Sequence, residues 1–432
     1  MRIENLKYFS YFCSMLINEK TWDFIRQHAD DDVRKLALQG AKDADIDLQM
    51  ALQQIAGRQT ARRKLPSWAA VDGIVYPPHL NMEQCSSEQT ARYKGRLISD
   101  PSPKGEGSGM FVDLTGGFGV DFYWIAKTIS HHPSPNPHHL TYLEQNEQLC
   151  AISSHNFEVL GLECTVCCCD AVSYLSTMPH VDLIYMDPAR RNEHGGRTYG
   201  IEDCTPNVLE LLPLLMSKAD RVLLKLSPML DWRKAVEDLK FVTEVHIVSV
   251  DNECKELLMV LGKEQSGELR VVCINGASSF EFIPSLGINY SQLGNKTFPS
   301  WEYSSSLELA DIPPYLYEPN ASIMKAGCFT EVEERFPVRQ IAPNSHLFLS
   351  SVEIEAFPGR RFQIFSISSM NKLELRTALK EIERANISVR NFPLSADQLR
   401  KKLKLKDGGD VYIFATTMAD GEHRLLICRK IG

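Results

Sequence analysis

The stretch Phe111-Val-Asp-Leu-Thr-Gly-Gly-Phe-Gly-Val-Asp121 determines the fold that this sequence predicts. Its first four residues are a short apolar run containing one acid, which is typical of a buried strand in a parallel sheet. Residues 115–119 predict a tight glycine turn, and residues 120–127 carry apolar side chains at helical spacing. This order forms a cradle for a nucleotide-type cofactor, because glycines allow close backbone approach and the helix N-terminus faces the ligand. The alternative is an ordinary glycine-rich connection without a ligand.

The stretch is the first of several strand–helix units in the middle third of the chain. We predict further strands at residues 140–144, 164–169, 181–186, 221–226, 241–250 and 257–260, and helices at 148–160 and 209–216. Repeated units of this length predict an α/β fold with a right-handed, parallel, doubly wound, Rossmann-like sheet. Ligands of such sheets bind at the carboxyl ends of the strands.

The glycine turn resembles motif I of class I S-adenosylmethionine methyltransferases, D-x-G-x-G-x-G, with Thr115 in place of the first glycine. Four predicted strands end in acids. Glu144 is placed to bind ribose hydroxyls, Asp170 with Ala171 to accept from the adenine amino group, and Asp113 to support the methionine end. The predicted cofactor-binding residues are Asp113, Thr115, Gly116, Gly117, Phe118, Gly119, Glu144, Gln145, Asp170, Ala171 and Asp187.

The exit of the fourth strand, Asp187-Pro188-Ala189-Arg190, resembles motif IV of amino-methyltransferases, [D/N/S]-P-P-[aromatic]. In that motif the acid or amide and the next backbone carbonyl accept hydrogen bonds from an exocyclic amine, so transfer depends mainly on positioning. Arg190 replaces the aromatic residue that would stack on a base, so Tyr199 would have to provide the stack. The predicted catalytic residues are Asp187, Pro188, Ala189 and Arg190.

Basic residues near these motifs suit a phosphate-bearing substrate, although arginines at a surface also form ordinary ion pairs. In the tail, basic and apolar residues alternate around a predicted helix end, residues 400–406, which favours a phosphate-binding face over a merely solvated helix end. The predicted substrate-binding residues are Arg191, Arg197, Tyr199, Lys225, Lys401, Lys402 and Lys404.

Composition limits the class of protein. The 432 residues suffice for roughly three domains, and the net charge of −8 argues against a uniformly basic nucleic-acid coat. The N-terminus lacks the apolar core of a signal peptide, and no apolar run reaches membrane-spanning length. The 12 cysteines show no secretory spacing, which indicates free thiols in the cytoplasm. Cys164 and Cys167 have C-x-x-C spacing, but without a second pair we predict a buried strand and no metal.

We predict four domains: a helical domain at residues 1–97, the cofactor-binding domain at 98–275, a small α+β, ferredoxin-like module at 276–355, and a final domain at 356–432. In the first domain, residues 33–55 predict one helix capped by Asp30–Asp32, and Ser86 is predicted to cap another helix through a capping box with Gln89. The last domain predicts the order β-α-β-α-β-β.

Together with these motifs, several phrases carry a resemblance to bacterial class I methyltransferases that end in a THUMP-like domain, and the resemblance covers essentially the whole chain. The phrases are Glu83-Gln-Cys-Ser-Ser-Glu88, residues 317–327, Pro343-Asn-Ser-His346, residues 390–394 and Lys406-Asp-Gly-Gly409. The resemblance implies an S-adenosylmethionine-dependent enzyme acting on RNA, since THUMP-type modules are associated with RNA binding.

The resulting hypothesis is an RNA methyltransferase that modifies an exocyclic amine of a base, with S-adenosylmethionine as cofactor and Asp187 and the backbone of Pro188 orienting the amine. Two alternatives stay open. One is an RNA-binding adaptor with a vestigial cofactor pocket, and the other is a methyltransferase acting on a protein or a small amine.

Overall fold

The computed structural model describes residues 17–41, 43–98, 109–131, 137–190, 200–263, 268–284 and 312–432. The chain divides into two compact units. The first comprises residues 1–250 and 255–269, and the second comprises residues 251–254 and 270–432.

Helices form the start of the first unit: α1 (Glu19–Gln27), α2 (Val33–Gln39), α3 (Leu48–Lys64), α4 (Pro66–Ala69), α5 (His79–Gln84) and α6 (Glu88–Leu97). The predicted cap at Asp32 is confirmed, since its carboxylate accepts from the backbone N–H groups of residues 34 and 35. The predicted continuous helix over residues 33–55 is wrong. Gly40, with φ +73°, ends α2, and Asp47 caps the separate helix α3.

Alternating strands and helices follow: β1 (Met110–Asp113), α7 (Val120–His131), β2 (His139–Glu144), α8 (Glu147–Val159), β3 (Thr165–Cys168), α9 (Ala171–Thr177), β4 (Val181–Met186), the short pair β5 (Ala189–Arg190) and β6 (Cys204–Thr205), α10 (Val208–Lys218), β7 (Ala219–Leu226), α11 (Trp232–Leu239), β8 (Val242–Val250) and β9 (Glu253–Gly262). In this unit the sheet order is β3-β2-β1-β4-β7-β9-β8. The predicted α/β fold with a doubly wound sheet is confirmed.

One strand departs from the predicted parallel sheet. The first five strands in the order pair in parallel, but β9 lies between β7 and β8 and is antiparallel to β7. Asp251 and Asn252 explain the reversal. Both have positive φ, +51° and +61°, which is the backbone of a tight type I′ hairpin turn.

The N-terminal helices and the sheet share one core within the first unit. The side chain of Asn156 on α8 exchanges two hydrogen bonds of 2.9 Å with the backbone of Val75. Trp68 packs edge-on against Phe118, with ring centroids 5.2 Å apart. These contacts hold the connection between α4 and α5 against the sheet domain.

The second unit contains the antiparallel hairpin β10 (Arg270–Asn275) and β11 (Ser278–Phe282), followed by β12 (Tyr315–Pro319), α12 (Ala321–Ala326), α13 (Phe329–Arg335), β13 (Arg339–Gln340), β14 (Phe348–Ser350), β15 (Gly359–Ser368), α14 (Lys372–Ala378), β16 (Asn386–Arg390), α15 (Ala396–Leu403), β17 (Val411–Thr417) and β18 (His423–Lys430). The sheet order is β13-β14-β12-β15-β18-β17-β16. The predicted β-α-β-α-β-β order of the tail is confirmed from β15 to β18.

A buried carboxylate joins three strands of this sheet. Glu318 on β12 is 2% exposed and accepts from Arg360 Nε at 2.7 Å and from Arg390 at 2.8 Å. Two guanidinium groups supply the pairing that a buried carboxylate requires. Glu318 therefore connects two of the sequence phrases noted above, residues 317–327 and residues 390–394.

Candidate active site

The glycine turn after β1 requires glycine for two different reasons. Gly117 and Gly119 have φ +54° and +81°, in the left-handed region that side chains disfavour. At Gly116 the reason is space, because an added Cβ would lie 2.0 Å from the ring of Tyr142. The turn therefore presents bare backbone at the carboxyl end of β1, which fits the close approach of a nucleotide-type cofactor.

Asp113, the acid that ends β1, lies fully buried beneath this turn. Its Oδ1 accepts from the backbone N–H of Thr115 at 2.9 Å, and its Oδ2 has no hydrogen-bond partner in the described part of the chain. Burial raises the pKa of Asp113 well above its usual range. Asp113 thus shapes the turn from below.

Glu144, at the end of β2, bridges two loops. Its two carboxylate oxygens accept from Gly117 N at 2.9 Å and from Asn146 N at 2.8 Å. The side chain is partly exposed, and Gln145 beside it is exposed. Each oxygen keeps a second lone pair, so Glu144 can still accept from ribose hydroxyls.

Two other predicted cofactor residues have structural roles. Asp170 is the N-cap of α9 and accepts from Ser173 N and Ser173 Oγ, both at 2.8 Å. The backbone bond to Ser173 is the main cause that lowers the pKa of Asp170. Ala171 begins the helix. Phe118 is buried against Trp68, so its side chain lies in the core and only its backbone is placed to meet a ligand.

The first position of the glycine motif has a function that glycine could not fulfil. Thr115 Oγ1 accepts from the backbone N–H of Asp187 at 2.6 Å, which joins the turn after β1 to the exit of β4. Thr115, which replaces the first glycine of the motif, therefore fixes the backbone of Asp187, the predicted catalytic acid. No local sequence pattern predicts this bond, because its partners are 72 residues apart.

Asp187 is paired with the lysine that ends the next strand of the sheet. Lys225 Nζ lies 2.5 Å from Asp187 Oδ2, so Lys225, predicted to bind substrate, instead has a carboxylate partner. The Asp187 side chain is 37% exposed, and its Oδ1 has no polar partner among the described residues. Burial raises the pKa of Asp187, and Lys225 opposes that shift. Lys225 thus holds one carboxylate oxygen, and within the described ranges the other has no polar contact.

A second layer of charge lies behind this pair. Asp121 on α7 has Oδ1 3.0 Å from Lys94 Nζ and Oδ2 3.8 Å from Lys225 Nζ. Lys94, on α6, is fully buried and lies 2.5 Å from Glu256 Oε2 on β9. Ser86 Oγ contacts both carboxylates, at 2.8 Å to Asp121 and 3.0 Å to Glu256.

No sequence pattern predicts a function for Lys94, Asp121 or Glu256. Asp121 ends the glycine stretch, and its position in the first turn of α7 directs it under the site. The predicted capping role of Ser86 is wrong by one residue, because Ser87 caps α6. The sequence contains two adjacent serines before this helix, and only one of them is needed as the cap. The second serine was the available signal of a further role.

The backbone after Pro188 forms a short hairpin. Ala189 and Arg190 pair antiparallel with Thr205 and Cys204. Pro188 is buried and Ala189 is exposed. The predicted substrate residues Arg191, Arg197 and Tyr199 lie outside the described residues, so their role stays a prediction.

In the second unit, the predicted basic residues lie at the end of α15. Lys401, Lys402 and Lys404 are exposed. Arg400, by contrast, pairs with Asp397 at 2.9 Å and with Asp407 at 2.6 Å. The lysines therefore form the exposed basic surface of this helix end.

Other features of the described residues limit the chemistry. Every cysteine among them is a free thiol, and no group of three or more His, Cys, Asp or Glu side chains there could hold a metal ion. None of the described helices is both long and apolar enough to cross a membrane.

Comparisons with known proteins show which family the chain resembles. Residues 359–430 match the family model described as THUMP domain-like, and residues 315–358 match a ferredoxin-like domain model. Over 96% of its length the chain is similar to a solved structure from Porphyromonas gingivalis W83 that is assigned as a methyltransferase, with 32% identity, 99% coverage of that chain and a TM-score of 0.78. No curated protein matches the chain.

More distant structures resemble the fold alone. A class I S-adenosylmethionine-dependent methyltransferase assigned in Listeria monocytogenes has 11% identity over 60% of this chain and 94% of that chain, with a TM-score of 0.38. The O-methyltransferase from Bacillus cereus, solved with SAH, has 13% identity over 48% of this chain and 91% of that chain, with a TM-score of 0.33.

Proposed function

This chain belongs to the class I S-adenosylmethionine-dependent methyltransferases that end in a THUMP-like domain, and we propose that it methylates an exocyclic amine of a base in RNA. The observation that carries this proposal is the state of Asp187. Its backbone is fixed by Thr115, one carboxylate oxygen is held by Lys225, and the other, at the carboxyl end of β4, has no polar partner among the residues that the structure describes. A carboxylate held in this way is suited to accept a hydrogen bond from an amine and to orient its lone pair.

The cofactor side of the proposal rests on the turn after β1. The residues fit S-adenosylmethionine, because Gly117 and Gly119 leave the backbone bare and Glu144 retains acceptor capacity for the ribose hydroxyls. When bound, the cofactor supplies an electrophilic methyl group on its sulfonium. Asp170 and Ala171 would lie at the adenine, and Asp113 would support the cradle from below.

The RNA side rests on the second unit. The THUMP-like region contains the exposed lysines at residues 401, 402 and 404, which suit the phosphates of a polyanion even though the chain is acidic overall. We propose that this region and the N-terminal helices present the RNA, that the loop with Arg191, Arg197 and Tyr199 contacts the target nucleotide, and that the protein acts in the cytoplasm. Free thiols in the described residues agree with that compartment.

Two binding and transfer measurements test the proposal. Isothermal titration with S-adenosylmethionine should show binding that is weakened in Glu144→Ala. Radiolabelled methyl transfer to total RNA from cells lacking the gene should then label RNA with the wild-type protein and fall by at least about 100-fold in Asp187→Ala. Asp187→Asn keeps a hydrogen-bond acceptor and should retain more activity than Asp187→Ala.

The control is Asp238→Ala, which removes a carboxylate from an i,i+4 surface pair with Lys234 and should leave transfer unchanged. If the radiolabelled methyl group appears on protein or on small amines and RNA stays unlabelled, the substrate belongs to that other class. Cofactor binding without any transfer would favour the adaptor, and equal transfer by Asp187→Ala would refute the role of Asp187.

A further inference from the structure

Five buried or half-buried charges form a continuous series that ends at the acceptor site. Lys94 lies between Glu256 and Asp121, and Lys225 lies between Asp121 and Asp187, so the sign of the charge alternates along the series. We call these residues the charge series. Three carboxylates and two ammonium groups give a net charge of −1 when all are ionised, and the last member, Asp187, has the most exposed side chain of the five, at 37%.

We propose that Lys225 is a positioning residue that keeps Asp187 ionised and leaves its Oδ1 for the acceptor amine, and that Asp121, held by Lys94 and Glu256, keeps Lys225 in place. This inference rests on the proposed amine methylation and extends it, because it assigns a role to residues that touch neither the cofactor nor the acceptor.

Asp187 lies where its ionised form needs support. Burial favours its neutral form, and the nearby carboxylate of Asp121 favours it as well. A neutral carboxyl group would be a poor acceptor for an amine N–H and could not take up its proton. Lys225, with Nζ 2.5 Å from Oδ2, supplies the opposing charge.

Lys225 is the cationic partner of Asp187. Its side chain is only 13% exposed, and burial alone would lower its pKa. The carboxylates of Asp187, Asp121 and Glu256 outweigh burial and raise the pKa of Lys225 above its usual range. The surrounding carboxylates therefore favour the charged form of Lys225, which suits an electrostatic function.

Asp121 anchors Lys225 on the side away from Asp187. Tyr185 donates its hydroxyl to Asp121 Oδ2 at 2.7 Å, and Ser86 contacts the same oxygen. Although burial raises the pKa of Asp121, Lys94, Lys225 and these hydroxyls lower it below its usual value. Asp121 is thus a fixed negative charge, and the Lys94–Glu256 pair connects it to α6 and β9.

The chemistry of transfer explains why an ionised Asp187 matters. The lone pair of the acceptor nitrogen forms the new N–C bond while the C–S bond breaks and its electron pair goes to sulfur. Positive charge develops on the nitrogen, and one N–H proton passes to Asp187 Oδ1, from which it is released to solvent. A negative end of the charge series at this point stabilises the developing charge.

Carboxyl titration by NMR tests the inference without any acceptor. In protein labelled with 13C at the aspartate carboxyl carbon, the Asp187 signal is identified by its loss in Asp187→Asn. We expect Lys225→Met to raise the Asp187 titration midpoint by about 1 to 3 pH units, and Lys225→Arg to keep it near the wild-type value. The groups that face Asp187 among the described residues, and that the titration must consider, are Lys225, Asp121, Lys94, Asp113 and Tyr185.

Matched controls separate charge from packing. Lys234→Met removes an exposed lysine from a surface ion pair and should leave the Asp187 midpoint unchanged. If Lys225→Met does not fold, Lys225→Gln, which keeps a hydrogen-bond donor without the charge, should show the same upward direction. An Asp187 midpoint that is equal in wild type and in the uncharged variant would overturn the inference.

The pH dependence of methyl transfer to total RNA gives a second readout. The acidic limb of the profile should move upward in Lys225→Met by the same amount as the NMR midpoint, and Lys225→Arg should restore it. If the midpoint moves but RNA accepts no methyl group, the RNA proposal fails and the charge series stands. If RNA is methylated and the midpoint does not move, the inference fails and the proposed function stands.

Discussion

At the scale of single residues, the strongest expectation concerns Asp113. The folded protein holds this carboxyl group in a buried position where burial raises its pKa, whereas the unfolded chain releases the proton above about pH 4. The folded state then binds more protons than the unfolded state, so this group makes the free energy of unfolding fall as pH rises toward its folded pKa.

Asp113→Asn should remove that dependence, because the amide oxygen can still accept from Thr115 N and nothing ionises. The stability of the variant relative to wild type should therefore increase between pH 5 and pH 8 in urea unfolding without cofactor. Asp170→Asn is the control. The lowered pKa of Asp170 contributes stability that is fully present above its unfolded pKa, about 4, and is lost only as pH falls through its folded pKa, so the relative stability of this variant should not change between pH 5 and pH 8. A pH-independent difference for Asp113→Asn would contradict the expectation.

Single residues also show which features of the candidate site the sequence could not predict. The acids after the strands could be predicted because each follows a local apolar run. The partners of Thr115 and Lys225 could not, since the hydrogen bond from Asp187 to Thr115 spans 72 residues and the Lys225–Asp187 pair spans 38. Neither has a pattern in sequence. Such contacts depend on which strand exits the sheet brings together.

At the scale of elements, the N-terminus of α6 separates two serines with different functions. Ser87 Oγ caps the helix by accepting from Thr90 N at 3.2 Å, whereas Ser86 Oγ contacts the carboxylates of the charge series. Ser87→Ala should reduce the free energy of unfolding by about 1 kcal/mol and leave the Asp187 titration unchanged.

Ser86→Ala removes a hydroxyl from two buried carboxylates, so it should destabilise the protein by about 1 to 3 kcal/mol and also alter that titration. The pair of variants differs by one position in sequence. Equal effects of both variants on the Asp187 midpoint would show that the Ser86 hydroxyl has no specific influence on the charge series.

Element boundaries were predictable where a periodic apolar run had local ends. The strand Val181–Met186 has the predicted bounds, and α7 begins at the predicted residue, Val120. The prediction failed where a single residue changed the course of the chain. Gly40 interrupted a run that was otherwise apolar at helical spacing, and the positive φ angles of Asp251 and Asn252 reversed a strand.

At the scale of the whole molecule, the expected RNA surface and the candidate active site lie in different compact units. Replacing Lys401, Lys402 and Lys404 by glutamine should weaken binding of total RNA and reduce the slope of log affinity against log salt by roughly 0.7 for each lost phosphate contact. The affinity for S-adenosylmethionine should not change, because its proposed residues lie in the first unit.

The matched control replaces three exposed lysines of the first unit that lie outside the N-terminal helices, Lys234, Lys255 and Lys263, by glutamine. It removes the same charge and should leave the salt slope nearly unaltered. If both triple variants change the slope equally, the effect is one of net charge, and the lysines of α15 form no specific surface.

The pair between Lys94 and Glu256 has a consequence for biosynthesis. The two residues are 162 positions apart, so the pair forms only after β9 has emerged from the ribosome. Until then Lys94 can pair with Asp121 but not with Glu256, although the glycine turn and Asp187 have already been synthesised. The charge series, and with it the environment of Asp187, can therefore be completed only after β9 has been synthesised.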